Sequence, residues 1–271
     1  MILSFQSEGI NLEYEIIGNG DKAMFAFHGF GNSAAMFRVL EPSLGKKFSI
    51  YSFNLPYHGH SNIDSETSEE GITPTQLQKY FRNFLIQINR ARFSLLGFSI
   101  GGKVALKLIE LFPDQVEQVL LFAPDGIRIS SWYKFVTGSR LGKWIYKRMM
   151  KYPERYMKIV GILETTKLVK TTTASFVRNS LDTHAKREMV YRTWMCLKNL
   201  DPDIHKITEI VNTNNIGLHL FFGKFDKIIP SHVGKKFVRG LDNKNLLHII
   251  DSGHQLVNEK LHAELEKILF S

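Results

Sequence analysis

Apolar positions along the chain gather into short runs, and between the runs they recur at helical spacing. Ile2 to Phe5 and Ile10 to Ile17 predict two strands joined as a hairpin through Ser7-Glu8-Gly9. Met24 to Phe27 predicts a buried strand that ends in the loop His28-Gly29-Phe30-Gly31, and Ala34 to Leu44 a helix. Phe48 to Phe53 predicts a strand entering the loop Pro56 to Ser61, and the polar, acidic residues 62–73 predict a surface loop. Thr73-Pro74 opens a helix that runs to about Arg90, with threonine as cap and proline at the first helical position. Phe93 to Leu96 then reads as a strand, Lys103 to Leu111 as a helix, and Val116 to Ala123 as a strand stopped by Pro124-Asp125-Gly126.

Beyond that stop the rhythm changes. Residues 127 to about 205 show helical spacing, many aromatics and no strand signal. Strands resume at Ile216 to Gly223 and Leu246 to Ile250, each followed by a helix, over Ser231 to Arg239 and Gln255 to Leu269. Strands alternating with helices define an α/β fold, a mostly parallel sheet with helices on both faces. Residues 1–125 and 206–271 form its core, and residues 126–205 form a helical cap, or lid, because both ends of that insert return to the same sheet. No internal repeat or low-complexity tract is present.

The chemistry gathers at loops that follow strands. Gly97-Phe98-Ser99-Ile100-Gly101 lies between a predicted strand and a predicted helix, the setting of a nucleophile elbow. Such a turn is sharp enough to require small neighbours, which Gly97 and Gly101 supply. A serine hydroxyl needs a base, and His254 follows the last strand in Asp251-Ser252-Gly253-His254. The base needs a carboxylate to fix its tautomer, and Asp226 follows the preceding strand. Ser99, Asp226 and His254 occur in the chain order of this fold, and loops at the strands' carboxyl ends share one edge of a parallel sheet. Asp125 is the rival acid, since it also follows a strand, whereas Asp251 is too near His254 along the chain to serve as its partner. The backbone N–H groups of Ile100 and Phe30 are the candidate oxyanion donors. The same loop and elbow place His28, Gly29 and Phe98 at the substrate pocket, with His28 shaping the loop. His58-x-His60 with Asp64 nearby does not complete a metal-ligand pattern, and no residue pattern calls for a cofactor.

Charge adds one asymmetry. The 271-residue chain carries a net charge of +9. Residues 125–200 hold 16 Lys and Arg against 5 Asp and Glu, a local +11, while the other 19 basic and 21 acidic residues leave −2. In the insert the cations are interleaved with Trp132, Tyr133, Phe135, Trp144, Tyr146, Tyr152, Tyr156, Phe176, Tyr191 and Trp194. A solvated basic outer face over an apolar underside accounts for this pattern. A positive surface that recruits an acidic acyl-carrier protein, an anionic lipid surface or a carboxylated ester also accounts for it. Nucleic acid is disfavoured because no binding motif accompanies the charge. The single cysteine, Cys196, excludes an internal disulfide and reads as a packed thiol. No secretory signal is evident and no stretch approaches 18 uninterrupted apolar residues, so a soluble cytoplasmic protein is expected.

The chain resembles the α/β-hydrolase superfamily, in its capped, esterase-like branch, over nearly its full length. The resemblance rests on the His28-Gly29 loop, the Gly97 to Gly102 elbow, the Gly223, Asp226 and Pro230 loop, and Gly253-His254. It implies an eight-stranded, mostly parallel sheet with a helical cap after strand six, and hydrolysis of an ester, thioester or related acyl bond without a cofactor. One motif departs: where the family often shows Asp-x-Pro-Gly-His-Gly-x-Ser, this chain has Asn54-Leu55-Pro56-Tyr57-His58-Gly59-His60-Ser61. Dehalogenases and epoxide hydrolases of the fold carry aspartate at the elbow, so Ser99 disfavours their alkyl-enzyme chemistry. A slow-turnover ligand receptor, a proline-iminopeptidase-like enzyme and a carbon–carbon bond hydrolase share the same framework and stay open on sequence, although the basic cap argues against the peptidase.

Overall fold

The computed structural model describes residues 1–154, 183–242 and 246–270. Among the described residues the strands are β1 (Ile2–Ser7), β2 (Ile10–Ile17), β3 (Lys22–Phe27), β4 (Phe48–Phe53), β5 (Asn62–Ile63), β6 (Phe93–Phe98), β7 (Val116–Phe122), β8 (Gly217–Gly223) and β9 (Leu247–Ile250). The sheet runs β1-β2-β4-β3-β6-β7-β8-β9, so the eight expected strands form one continuous path and the short β5 pairs with β2 beside it. β2 pairs antiparallel with β1, β4 and β5, and every other pairing is parallel. The carboxyl ends of β3, β4, β6, β7, β8 and β9 therefore leave one edge of the sheet together.

Described helices are α1 (Glu41–Leu44), α2 (Ser65–Glu70), α3 (Pro74–Gln87), α4 (Ile100–Leu111), α5 (Ser131–Gly138), α6 (Arg140–Lys151), α7 (His184–Cys196), α8 (Ile204–Thr213), α9 (His232–Phe237) and α10 (His262–Phe270). α3 starts at a full capping box, Thr73 accepting from the Gln76 N–H and Gln76 returning to the Thr73 backbone. Three segments differ from the sequence expectation. Ala34–Leu40 is a 3-10 helix that gives way to α1, because Pro42 carries no N–H for the carbonyl of Arg38. The expected loop over 62–73 contains β5 and α2, the helix capped by the Asp64 side chain accepting from the Thr67 N–H at 2.8 Å. The last helix begins at His262, after a 3-10 turn capped by Asn258 that leaves residues 255–258 free to shape the loop carrying His254.

One face of the sheet holds the larger core, in which rings from β2, β3, β4, β6 and α3 meet. Phe25 stacks on Phe93 at 4.7 Å and meets Phe84 edge-on at 5.4 Å, and Phe53 meets Phe84 at 5.1 Å. The other face packs Phe37, Leu44, Phe98, Phe122 and Phe221 under α1 and α10.

Between β7 and β8 the chain leaves the sheet through α5 and α6 and returns through α7 and α8. Val136, Tyr146 and Val190 form a small core of their own, against which Phe135, Tyr191, Trp194 and Phe30 pack. Tyr156 and Phe176 lie outside the described residues. Cys196, Leu197 and Leu200 already belong to the main core. The Cys196 thiol is fully buried and its pKa is pushed up by burial, as a packed thiol requires. Among the described residues no helix is long and apolar enough to cross a membrane.

Candidate active site

Ser99 stands between β6 and α4 with φ +51° and ψ −120°, a left-handed backbone that costs a side-chain-bearing residue about 1–3 kcal/mol. Its surroundings hold it there. The Ser99 N–H donates to the Phe122 carbonyl at 3.0 Å, and its own carbonyl accepts from Gly102 and Asp125, each at 2.8 Å. The glycines are steric requirements: a Cβ on Gly101 would lie 2.0 Å from the Phe27 carbonyl oxygen, and one on Gly97 would lie 2.8 Å from the Gly102 Cα.

Strand ends bring the distant partners to the serine. β7 and β8 pair in register through Phe122 and Phe221, and β8 and β9 through Gly223 and Ile250, so the loops after β8 and β9 emerge beside the elbow. His254 Nε2 lies 3.1 Å from Ser99 Oγ, and His254 Nδ1 lies 2.7 Å from Asp226 Oδ2. The Asp226 side chain is fully buried, and its second oxygen accepts the N–H groups of Ile228 at 2.8 Å and Ile229 at 2.9 Å. With Nδ1–H donating to this fixed carboxylate, Nε2 is left as the acceptor facing the serine hydroxyl.

The rival acids do other things. The Asp125 carboxylate accepts from the Gly126 N–H at 2.8 Å; burial raises its pKa, opposed by nearby Lys103. Asp251 is exposed and pairs with Lys224 at 3.8 Å.

Phe30 follows β3 and Ile100 opens α4, and no partner for either N–H is found among the described residues. A pair of histidines fixes the loop that carries Phe30. His28 Nε2 accepts from the Leu55 N–H at 3.0 Å, so Nδ1 holds the proton and donates to the Gly29 carbonyl at 2.7 Å. In return His58 Nε2 accepts from the Gly31 N–H at 3.1 Å, and the two rings meet at 4.8 Å. Each loop thus supplies an imidazole to the other's backbone. Burial, reinforced by the neighbouring ring, lowers the His28 pKa to about 3, and burial lowers that of His58.

His28, expected at the substrate pocket and as a shaper of the loop, is fully buried with both nitrogens used on backbone. Phe98 and Gly29 are buried too; the Phe98 ring lies 5.2 Å from the His254 ring and fills the space where a Gly29 Cβ would stand. The Phe98 ring, itself packed on Gly29, thus sits beside the imidazole. The His58, His60 and Asp64 group does not converge, since His58 is engaged with the loop and Asp64 caps α2.

Two features escaped the sequence. One is the His58 contact to Gly31, signalled only by two histidines following neighbouring strands. The other is a buried ionic cluster one helical turn past the serine. There Lys103 donates to Asp201 at 2.6 Å and to the Tyr133 hydroxyl at 2.7 Å, tying α4 to both ends of the insert.

Known proteins decide the family. The chain matches the alpha/beta hydrolase fold family over residues 22–260. It belongs to that family. A hydrolase of Bacillus subtilis, YugF, itself uncharacterized, is 24% identical over 265 residues, covering 96% of this chain and 93% of that one. A pimeloyl-[acyl-carrier protein] methyl ester esterase of Nitrosomonas europaea is 27% identical over 124 residues, 45% of each chain. Among solved structures, a thermophilic esterase from Thermogutta terrifontis superposes with a TM-score of 0.68 at 16% identity, covering 100% of this chain and 97% of that one. The sheet order, the elbow and the family match agree that this α/β hydrolase is an enzyme of the hydrolase class.

The departure in the 54–61 loop has a local cause. Asn54 Oδ1 accepts the Ala34 N–H at 2.7 Å, while its Nδ2 donates to the Glu13 carboxylate at 3.1 Å. An aspartate could make only the first of these bonds, because an ionised carboxylate has no donor. Tyr57, where the family has glycine, sits at φ +66° and holds Ser68 of α2 through its hydroxyl at 2.9 Å.

Proposed function

We propose that this α/β hydrolase is a serine hydrolase that cleaves a carboxylic ester or thioester through an acyl-enzyme on Ser99. The hydrogen-bonded line from Ser99 through His254 to Asp226, at 3.1 and 2.7 Å, carries the proposal. Ser99 Oγ attacks the acyl carbon as His254 Nε2 takes its proton. Asp226 stabilises the imidazolium without itself accepting that proton. The tetrahedral oxyanion is held by the N–H groups of Phe30 and Ile100, each donor worth about 3–4 kcal/mol in the transition state. His254 then protonates the departing alcohol or thiol. A water, deprotonated by the same nitrogen, frees the acid in the second half.

The insert serves as lid in this proposal. The Phe30 side chain packs against the insert's own core, so motion of those helices would reach the loop that carries one oxyanion donor. A cytoplasmic setting belongs to the same proposal. A series of p-nitrophenyl esters of graded acyl length, run beside Ser99→Ala, tests it. The variant should lose at least about 10³-fold in kcat. Equal hydrolysis by both proteins would remove Ser99 from the chemistry.

A further inference from the structure

From residue 126 to residue 153 the chain has no acidic side chain and seven basic ones, Arg128, Lys134, Arg140, Lys143, Lys147, Arg148 and Lys151. All but Lys143 are exposed, and among the described residues none of the seven pairs with a carboxylate. Large apolar side chains stand exposed in the same stretch: Trp132 at 40%, Leu141 at 58% and Trp144 at 54%. On α6, Leu141, Trp144, Arg148 and Lys151 share one outer face at helical spacing, with Tyr146 buried beneath the helix. The Arg148 guanidinium lies 5.1 Å from the Trp144 ring and 5.6 Å from the Tyr152 ring.

A second patch of exposed apolar side chains beside lysines, one of them Lys224 paired with the exposed Asp251, flanks Asp226. In the loop after β8, Phe225 is 59% exposed between Lys224 and Lys227, and Ile228, next after Lys227, is 48% exposed. β7 and β8 are parallel neighbours, so this loop and the start of the insert leave the same edge of the sheet.

We propose that this edge docks on an anionic lipid surface. A leucine and an indole set beside an arginine and a lysine on one helix face, with the second indole, Trp132, on the preceding helix, are what an interface between headgroups and acyl chains accommodates: cations meet phosphates and the rings sink to headgroup depth. A folded acidic partner would satisfy the cations. However, seven charges of one sign offer no alternation by which such a partner could fix its register, whereas a diffuse anionic surface needs none. Docking there turns the edge that carries Ser99 toward the bilayer. The substrates, a point that rests on the hydrolase proposal, are then esters that partition into lipid.

Flotation with vesicles separates the outcomes. The full chain and Ser99→Ala should both bind vesicles of about 3:1 phosphatidylcholine to phosphatidylglycerol, and neither should bind phosphatidylcholine alone. Binding should fall steeply at about 0.5 M NaCl, where the Debye length shrinks to about 4 Å. The pair K147E/R148E should bind at least about 25-fold more weakly, from roughly fivefold per cation near the surface. Trp144→Ala should weaken binding as well. Lys46→Glu, at the opposite edge of the sheet, should bind like the parent. K147E/R148E should still hydrolyse a short, water-soluble ester at the parental rate. Equal binding to both vesicle types, no binding to either, or retention only on an immobilised acidic acyl-carrier protein would overturn the inference. Loss of ester hydrolysis with vesicle binding intact would instead overturn the hydrolase proposal.

Discussion

The ionic cluster behind the elbow makes an asymmetric prediction. The Lys103 side chain is 1% exposed and its ammonium meets Asp201 at 2.6 Å, whereas the Asp201 side chain is 35% exposed. Removing one partner of a buried pair costs about 3–5 kcal/mol when the survivor cannot be solvated. Asp201→Asn strands Lys103 in that position. The lysine can escape by releasing its proton, which keeps the cost at pH 7 below about 5 kcal/mol, the figure for an ordinary value of 10.5 at about 1.4 kcal/mol per unit, because burial has already lowered the parent's pKa. Lys103→Met keeps the apolar stem and leaves Asp201, which reaches water, and Asp125, whose pKa burial already raises and which can take a proton, so about 1–2 kcal/mol is expected. Urea unfolding followed by tryptophan fluorescence and far-ultraviolet circular dichroism should therefore place Asp201→Asn well below Lys103→Met. Its Tm should fall on the order of 10 °C, at about 2–4 °C per kcal/mol for a chain of this size. The sign with pH is fixed. Burial already lowers the Lys103 pKa, and losing Asp201 lowers it further, so the unfolded chain binds the extra proton between that value and 10.5. The deficit of Asp201→Asn must shrink as pH rises from 7 to 9. Equal costs for the two variants, or a deficit that grows with pH, would refute the reasoning.

Three further outcomes follow from particular contacts. Asn54→Asp restores the family's residue but sets a second carboxylate against Glu13 in place of a donor at 3.1 Å, so it should destabilise by about 2–3 kcal/mol at pH 7. Its raised folded pKa means the loss appears as pH rises through that value and is absent below the ordinary aspartate pKa, which denaturation at pH 4 and pH 7 compares. Gly101→Ala drives a Cβ to 2.0 Å from the Phe27 carbonyl oxygen, and should cost at least about 3 kcal/mol in urea and abolish ester hydrolysis. His28, lowered from 6.5 to about 3, should make stability fall by up to about 1.4 kcal/mol per pH unit as pH drops from 6.5 toward 3. His28→Gln should flatten that dependence by one proton, and identical slopes would contradict the assignment.

Wherever local chemistry decides structure, the chain was readable. The β1–β2 hairpin turns at Glu8-Gly9, α3 starts at its capping box, and the elbow needs its glycines. α2 was missed because Ser65–Glu70 has no apolar position and is held by one cap and by packing against α7. Contacts distant in sequence were invisible for a different reason. Asp201 lies 98 residues beyond Lys103, and Glu13, which explains Asn54, comes from a neighbouring strand. His28 could be placed beside the elbow, but its burial depended on Leu55 and Gly29 taking both of its nitrogens. That Ser99, Asp226 and His254 would meet was readable because each follows its own strand, and a parallel sheet delivers such loops to one edge.

One measurement bears directly on the central claim, that a single alcohol is activated where Asp226, His254 and Ser99 line up. The native protein is treated with a fluorophosphonate and the adduct is mapped by peptide mass spectrometry. A single phosphonyl group on Ser99, absent from Ser99→Ala and strongly slowed in His254→Ala, is the predicted result. An adduct on another residue, or none while ester hydrolysis continues, would contradict it.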